Sequence, residues 1–406
     1  MNDLFQRKSR GLRVSLGKFA QEISDFPVTK YTVGDLSNKV MAQMKTLGFD
    51  KVAKDNSGNI VGVVRGYHKK DHLASVSHID LPAGEAQSGP GVSSNMLKFK
   101  AGLISGIYAG ALIKRSLVPL NGDFVVCCVP RVECCDFNIR YLFDESLASR
   151  KANLRGVILN EPTDFNLCVG HKGRMEYEIV VKGKLNREFL AGSGVNMLGA
   201  MFPLISELEK HSRTLPSDAA LGSSSLKIKD VRYGAAAMLE GASEFRVIVN
   251  REFGPEEDDR SILEKAKTIA RSVYKKEDGD FSISTAVARE KMKTNTGVEI
   301  VTQKEFKPWT MESSNPLVVK SLEVLHENGF AASSVGYWKK IITEGSYTYG
   351  TLKIPTIGFG AGVEEEVGSN LEAISIDKLE RAVIGQALIV HRVIGMPTFG
   401  WGTDEI

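Results

Sequence analysis

The chain has 406 residues, of which 42% are hydrophobic and 25% charged, and its 52 Lys and Arg against 49 Asp and Glu give a net charge of +3. This composition is that of a globular protein and excludes a disordered, collagen-like or coiled-coil chain. The near balance of charge argues against a nucleic-acid partner, and the length predicts two or three domains.

Strands and helices alternate along the first 160 or so residues. Residues 49–65 predict two strands about a turn at Asn56–Gly58, and the segment LASVSHID predicts a third strand. A helical spacing of apolar residues over 98–115 follows, and then the strand FVVCCV, the helix IRYLFDESLASR and the strand GVILNEP. This β-α-β-α-β series packs helices on both faces of a mostly parallel sheet, so the predicted fold class is α/β.

From about Gly173 the pattern changes to a β-α-β-β-α-β unit, the order of a compact α+β domain. Further along, apolar strands such as IPTIGFGAG return, followed by a closing helix, DKLERAVIGQALIVHRVIG. We therefore expect an α/β domain made of residues 1–172 and 288–406, interrupted by an inserted domain over 173–287.

The sequence predicts a cytoplasmic protein with reduced thiols. Its longest apolar stretch, 101–113, is shorter than the ~20 residues of a membrane span, and basic residues interrupt the N-terminal segment where a signal peptide is apolar. Two adjacent cysteine pairs, Cys127-Cys128 and Cys134-Cys135, lack metal-binding spacing and lie in an apolar stretch. We expect them to be buried core residues.

Polar residues at three strand ends form the candidate site. His78 and Asp80 follow LASVS, Glu133 follows FVVCCVPRV, and Glu161 follows GVILN. Ligands gather at the carboxyl ends of strands in α/β sheets, and a His and an Asp two residues apart face the same way. Alone, that pair is explained more simply as a capped strand end. Its convergence with the two glutamates favours a present or ancestral metal site.

Matching motifs extend over nearly the whole chain: LGFDKV, GNIVG, HID, GPGVSSN, NEPTD, GHKGRME, VNRE and IPTIGFGAG. In this order they resemble the dinuclear-zinc amidohydrolases and peptidases, the family of acetylornithine deacetylase, succinyl-diaminopimelate desuccinylase and the aminoacylases, and most closely its selenium-metabolism-linked hydrolase branch. The resemblance implies that the inserted domain is a lid and a dimerisation surface, and hence that the protein is a homodimer.

The resemblance also implies roles for individual residues. His78, Glu133 and Glu161 would be metal ligands, and Asp80 would orient the histidine. Four functional groups are replaced: the bridging aspartate by Asn95, the general base by Val132, the last metal histidine by Gly368 and the lid histidine by Arg187.

These replacements weaken the implied two-zinc site. An amide offers a single neutral oxygen and is a poor bridge between two cations, and valine accepts no proton. We therefore expect no metal, or at most one weakly bound Zn or Mn ion. Glu364, Glu365 and Glu366 are an alternative source of one oxygen ligand, although three consecutive glutamates in a loop are usually solvated.

Four further residues are singled out by the resemblance. Arg174 and Arg251 are candidate substrate-binding residues, although arginines at domain junctions are more often paired with local acids. Glu344 stands in the loop that in relatives holds a substrate carboxylate, where an acid would repel such a group. We expect His171, in GHKGRME, to fix the domain junction.

Three functions are compatible with these features. The leading expectation is a non-hydrolytic homologue that acts as a structural or regulatory partner in an enzyme assembly, for example beside an intact paralogue. The first alternative is an altered one-metal or metal-free amidohydrolase that cleaves C–N bonds of small N-substituted amino acids through His78, Asp80, Glu133 or Cys134. The second is a small-molecule sensor that uses the interdomain cleft. Neither nucleic acid nor a membrane is expected as a partner.

Overall fold

The computed structural model describes residues 1–24, 26, 33–79, 93–130, 136–184, 197–234, 242–274, 281–294, 296–330, 332, 334–366 and 374–396. The chain divides into two compact units. The first comprises Met1–His171, Lys293–Ile300 and Thr310–Ile406, and the second comprises Lys172–Met292 and Val301–Trp309.

The first unit is built on a sheet of strands β1 (Lys51–Lys54), β2 (Ile60–Val64), β3 (His72–His78), β4 (Phe124–Val129), β5 (Leu154–Leu159), β6 (Leu167–His171), β17 (Val335–Trp338) and β18 (Thr356–Gly358). Their order is β1-β2-β4-β3-β5-β18-β6, and β17 also pairs with β6. The central strands β4, β3, β5 and β18 run parallel, which confirms the predicted α/β sheet. β1 and β2 form the predicted antiparallel pair, with Gly58 in the turn at a φ of 94°.

Helices of the first unit are α1 (Asn2–Arg10), α2 (Arg13–Ser24), α3 (Val33–Thr46), α4 (Ser93–Arg115), α5 (Phe137–Tyr141), α6 (Ala148–Lys151), α9 (Pro316–Glu327), α10 (Gly345–Thr348) and α11 (Ile376–Ile394), with a 3-10 turn over Glu364–Glu366. α4 and α11 pack on each other and on β3. No helix in the described part of this chain has the length and apolar character needed to cross a membrane.

The prediction of a single continuous helix over IRYLFDESLASR is wrong. A π-helical turn, Leu142–Ser146, separates α5 from α6, and the Leu147 amide donates to the Leu142 carbonyl five residues back at 2.8 Å. Leu142, Phe143 and Leu147 are all buried around this wide turn. The wider turn departs from regular α-helical spacing, and all three of these apolar side chains are buried in it.

The second unit contains β7 (Gly173–Lys184), α7 (Met197–Ser212), β8 (Ser217–Asp218), β9 (Gly222–Ser223), β10 (Ser225–Gly234), β11 (Ala242–Phe253), α8 (Asp259–Val273), β12 (Phe281–Val287) and β15 (Glu305–Phe306). Its antiparallel sheet has the order β10-β11-β7-β12, with β15 also on β7. Three short strands, β13 (Arg289–Lys293), β14 (Glu299–Gln303) and β16 (Trp309–Thr310), lie where the chain passes from one unit to the other.

One core holds the second unit together. Buried apolar side chains of the sheet, such as Ile179 and Val247, belong to one cluster with Leu204 of α7 and Ile262 of α8. α8 begins at a capping box in which the Asp258 carboxylate accepts the amide of the residue three positions on. This cap satisfies an amide of the first turn that has no partner within the helix, so Asp258 stabilises the helix start.

Candidate metal centre

Two of the predicted ligands meet at one edge of the first unit's sheet. β3 ends at His78, and Glu161 follows the end of β5 by two residues. Because β3 and β5 are parallel neighbours, with Val76 opposite Leu159, both side chains lie at the carboxyl edge. His78 Nε2 is 3.3 Å from Glu161 Oε1, and the side chains are only 2% and 3% exposed.

Glu344 is the third member of this group. It lies directly before α10, is 15% exposed, and has its Oε1 2.9 Å from His78 Nε2. In the sequence this residue falls in a loop that in relatives holds a substrate carboxylate, whereas in the structure its own carboxylate lies against the histidine. In the sequence, Glu344 stood out only as an acid at a loop position where none was expected. That observation did not indicate that it would lie beside His78.

These three side chains fit a single divalent cation. One possible ligand atom from each lies within 4.8 Å of the other two, and this is the one such group of His, Cys, Asp and Glu found in the ranges described above. One imidazole nitrogen and two carboxylate oxygens suit Zn or Mn, and a neutral imidazole with two carboxylates balances the charge of a dication.

The backbone after Glu161 is held by the segment that follows β18. The Gly360 amide donates to Thr163 Oγ1 at 3.0 Å, and that hydroxyl donates to the Gly360 carbonyl at 3.2 Å. A Cβ at Gly360 would overlap the Glu161 carbonyl. Gly360, the last glycine of the IPTIGFG motif, is therefore required for the close approach of the two segments.

Under the strand ends, a buried polar network joins β3, β5 and α11. Asn160 Nδ2 donates to Ser75 Oγ at 2.8 Å, and Gln386 Nε2 lies 2.7 Å from that hydroxyl and 2.9 Å from Asn160 Oδ1. All three side chains are buried. Because Asn160 directly precedes Glu161, the network fixes the end of β5 on which that ligand depends.

Known proteins resemble this chain over both of its units. Residues 169–278 match the family model described as peptidase dimerisation domain. The chain is 24% identical over 381 residues to "Uncharacterized protein YgeY" of Escherichia coli strain K12, and the match covers 89% of this chain and 90% of that protein.

The crystal structure of aminopeptidase PepT from Bacillus cereus ATCC 10987 superposes with a TM-score of 0.68 at 15% identity, covering 94% of this chain and 98% of that one. Bacillus subtilis YXEP protein, described as a dinuclear metal binding peptidase from the M20 family, gives a TM-score of 0.66 at 12% identity over 94% and 98% of the two chains.

This chain has the fold of the M20 peptidases. The predicted α/β fold with an inserted dimerisation domain is confirmed, and so is the likeness to peptidases. Assignment to the selenium-metabolism-linked branch stays a prediction.

Six of the positions for which the sequence predicted a role lie outside the described residues: Asp80, Val132, Glu133, Cys134, Arg187 and Gly368. Asn95 lies in the first turn of α4, where the structure describes the helix. The roles implied for all of them stay predictions.

Glu364, considered as an alternative ligand, has a different environment. Its carboxylate accepts the backbone amides of Lys339, Lys340 and Ile341 at 2.7–3.0 Å. Three amide donors use the acceptor capacity that a metal would need, so this residue anchors the loop after β17.

The two arginines have partners within the second unit. Arg251 is 2% exposed and donates to the Ser225 carbonyl at 3.2 Å and to Glu257 Oε1 at 2.5 Å. Arg174 Nε donates to Asn250 Oδ1 at 3.2 Å. These contacts give both guanidinium groups a local structural role, and a role in substrate binding stays a prediction.

Three of the five cysteines lie in the described residues, and all three are free and buried. Burial raises the pKa of Cys127 and of Cys128, the latter to about 12. Burial, assisted by Glu364 and Glu365, also raises the pKa of Cys168 to about 12. None of these thiols is a thiolate at neutral pH, so none of them is suited to nucleophilic chemistry.

Proposed function

We propose that this protein is a non-hydrolytic homologue of the M20 peptidases that holds a single divalent ion at His78, Glu161 and Glu344. The observation that carries the proposal is the 2.9 Å separation of Glu344 Oε1 from His78 Nε2. Through this contact an acid from the loop before α10 joins the two ligands at the strand ends and makes a group of three.

Among the described residues three ligands are brought together, which suffices for one ion but not for two, and Glu133, which lies outside those residues, stays a predicted further ligand. A pair of divalent ions a few ångströms apart needs a shared anion and further ligands of its own. The sequence has Asn95 where the resemblance implies the bridging carboxylate and Gly368 where it implies the last histidine. The donor set therefore supports a mononuclear centre of the Zn or Mn class.

Hydrolysis additionally needs a group that takes a proton from water. A bound ion supplies Lewis acidity and lowers the pKa of a bound water. Val132 stands where the resemblance implies the general base, and loss of such a base typically costs ~10²–10⁴-fold in rate. We propose that the protein acts instead as a structural or regulatory partner in a cytoplasmic enzyme assembly, as a homodimer through the domain over 169–278.

A one-metal amidohydrolase acting on small N-substituted amino acids is the second candidate. The same ligand count favours it, because catalytic zinc sites commonly keep three protein ligands and an open position. In this candidate another group must replace the missing base.

Turnover assays separate the two candidates. The protein loaded with Zn or Mn is incubated with a panel of N-acyl and N-carbamoyl amino acids and dipeptides, beside His78→Ala and Glu344→Gln, with Glu323→Gln on the exposed face of α9 as a matched control. We expect no turnover that depends on His78. Hydrolysis that both site variants lose and the control keeps would replace the leading proposal by the second candidate.

The partner role has its own test. We expect the tagged full-length protein to co-purify with a catalytically intact paralogue from its native cells. Recovery of a homodimer alone would count against that role and leave the metal centre unaffected.

A further inference from the structure

His171 and Trp338 are buried neighbours that contact the backbone next to Glu161 and Glu344. They are partners in the register of β6 and β17, and their ring centroids are 6.4 Å apart. Each side chain is only 1% exposed, although each carries polar ring nitrogen. Buried polar ring atoms of this kind are normally hydrogen-bonded, and the partners of these two are backbone groups.

Trp338 holds the backbone beside one ligand. Its Nε1 donates to the carbonyl of Pro162, the residue directly after Glu161, at 2.8 Å. A Cβ at Gly358 of β18 would overlap the indole ring. A second glycine of the IPTIGFG motif thus provides the space in which the tryptophan reaches the Glu161 segment.

His171 holds the backbone beside another ligand. Its Nε2 accepts the amide of Thr343, the residue directly before Glu344, at 3.0 Å. Thr343 Oγ1 in turn accepts the Gly345 amide at 3.2 Å, so both sides of Glu344 are fixed.

We infer that His171 and Trp338 are a positioning pair that sets where the Glu161 and Glu344 carboxylates stand around His78, and thereby sets the affinity for a divalent ion. This inference rests on the proposed metal centre. One aromatic pair connects two acids that are far apart in the chain, so a shift of either ring displaces a ligand. Partners that orient metal ligands in this way typically account for about 10–100-fold in metal affinity.

Metal affinity, measured separately from stability, tests the inference. Zn²⁺ and Mn²⁺ dissociation constants are determined by chelator competition for the wild type, His171→Leu, His171→Gln and Trp338→Phe, and melting temperatures are measured in EDTA. Tyr108→Phe is the matched control, since it removes a buried hydroxyl that bonds Ser15 and Gln43 in the helical layer.

We expect His171→Leu and Trp338→Phe to bind the ion about 10–100-fold more weakly. His171→Gln retains an acceptor for the Thr343 amide and should recover most of the affinity. Tyr108→Phe should lower the melting temperature and leave the dissociation constants unchanged.

The outcomes distinguish the inference from the function on which it rests. A wild type that binds neither ion, or a Glu344→Gln variant that binds as tightly as the wild type, overturns the metal centre and the inference together. Weakened binding in Glu344→Gln with unchanged binding in His171→Leu and Trp338→Phe overturns the positioning pair alone. Equal loss of affinity in Tyr108→Phe would also overturn it, since any loss of stability would then explain the effect.

Discussion

Glu344→Gln should change stability in opposite directions with and without a divalent ion. Without an ion, the Glu161 and Glu344 ligand atoms lie within 4.8 Å of each other in a largely buried site. Two unit charges at that distance repel by about 3.5 kcal/mol at an effective dielectric constant of about 20. Loss of the contact between Glu344 and His78 opposes this gain by about 1 kcal/mol. With His78 neutral and both acids ionised, the ion-free variant should therefore be more stable than the wild type, by roughly 1–2 kcal/mol after solvent screening.

With an ion the order should reverse. A ligand that binds only the folded state stabilises it by about 2.7 kcal/mol at a free concentration of about 100 times its dissociation constant. The variant offers one carboxylate fewer, so its dissociation constant is higher and its gain at the same concentration is smaller. Above a certain zinc concentration the wild type becomes the more stable protein.

Thermal unfolding in EDTA and along a Zn²⁺ titration measures both effects in one assay, with Glu323→Gln as the control for loss of an acidic side chain. Plotted against zinc concentration, the melting temperatures of the wild type and of Glu344→Gln should cross. If the variant is less stable by the same amount in EDTA and in zinc, then Glu344 is a structural partner of His78 and not a metal ligand.

Three further predictions concern the scaffold. Gln386→Met removes a buried donor to Asn160 Oδ1 and should lower the free energy of unfolding in urea by about 1–2 kcal/mol, and a change below about 0.3 kcal/mol would contradict the network. Burial lowers the pKa of His72, whose Nδ1 accepts the Asp123 amide, so the unfolded chain takes up the proton first as pH falls below about 6.5. Stability should therefore decrease from pH 7 to pH 5 and decrease less in His72→Gln; an equal slope in both proteins is the contrary result. Because burial raises the pKa of Cys128 to about 12, iodoacetamide at pH 8 should modify this thiol only in urea, as mass spectrometry of its peptide would show, and modification of the folded protein would contradict this.

The sequence predicted the part of the site that strands carry. An apolar run that ends in His78 and another that ends just before Glu161 indicate parallel buried strands, and parallel strands bring their carboxyl ends together. The turn at Gly58 was equally visible, because the strand pattern stops and resumes on either side of it.

Glu344 was not predictable as a neighbour of His78. It lies in a loop before a four-residue helix, where no periodicity indicates direction. Its position depends on His171 and on the register of β17 with β6, which are tertiary contacts between distant segments. The π-helical turn over Leu142–Ser146 was missed for a related reason, because packing and not local propensity decides it.

The number of divalent ions per chain tests the central claim most directly. Protein purified without chelator and then saturated with zinc is desalted, and its zinc content is compared with that of His78→Ala by elemental analysis and native mass spectrometry. We predict one ion per chain in the wild type and none in the variant, and a wild type that holds no zinc would also contradict the claim. Two ions per chain, or one that persists in His78→Ala, would contradict a mononuclear centre at His78, Glu161 and Glu344.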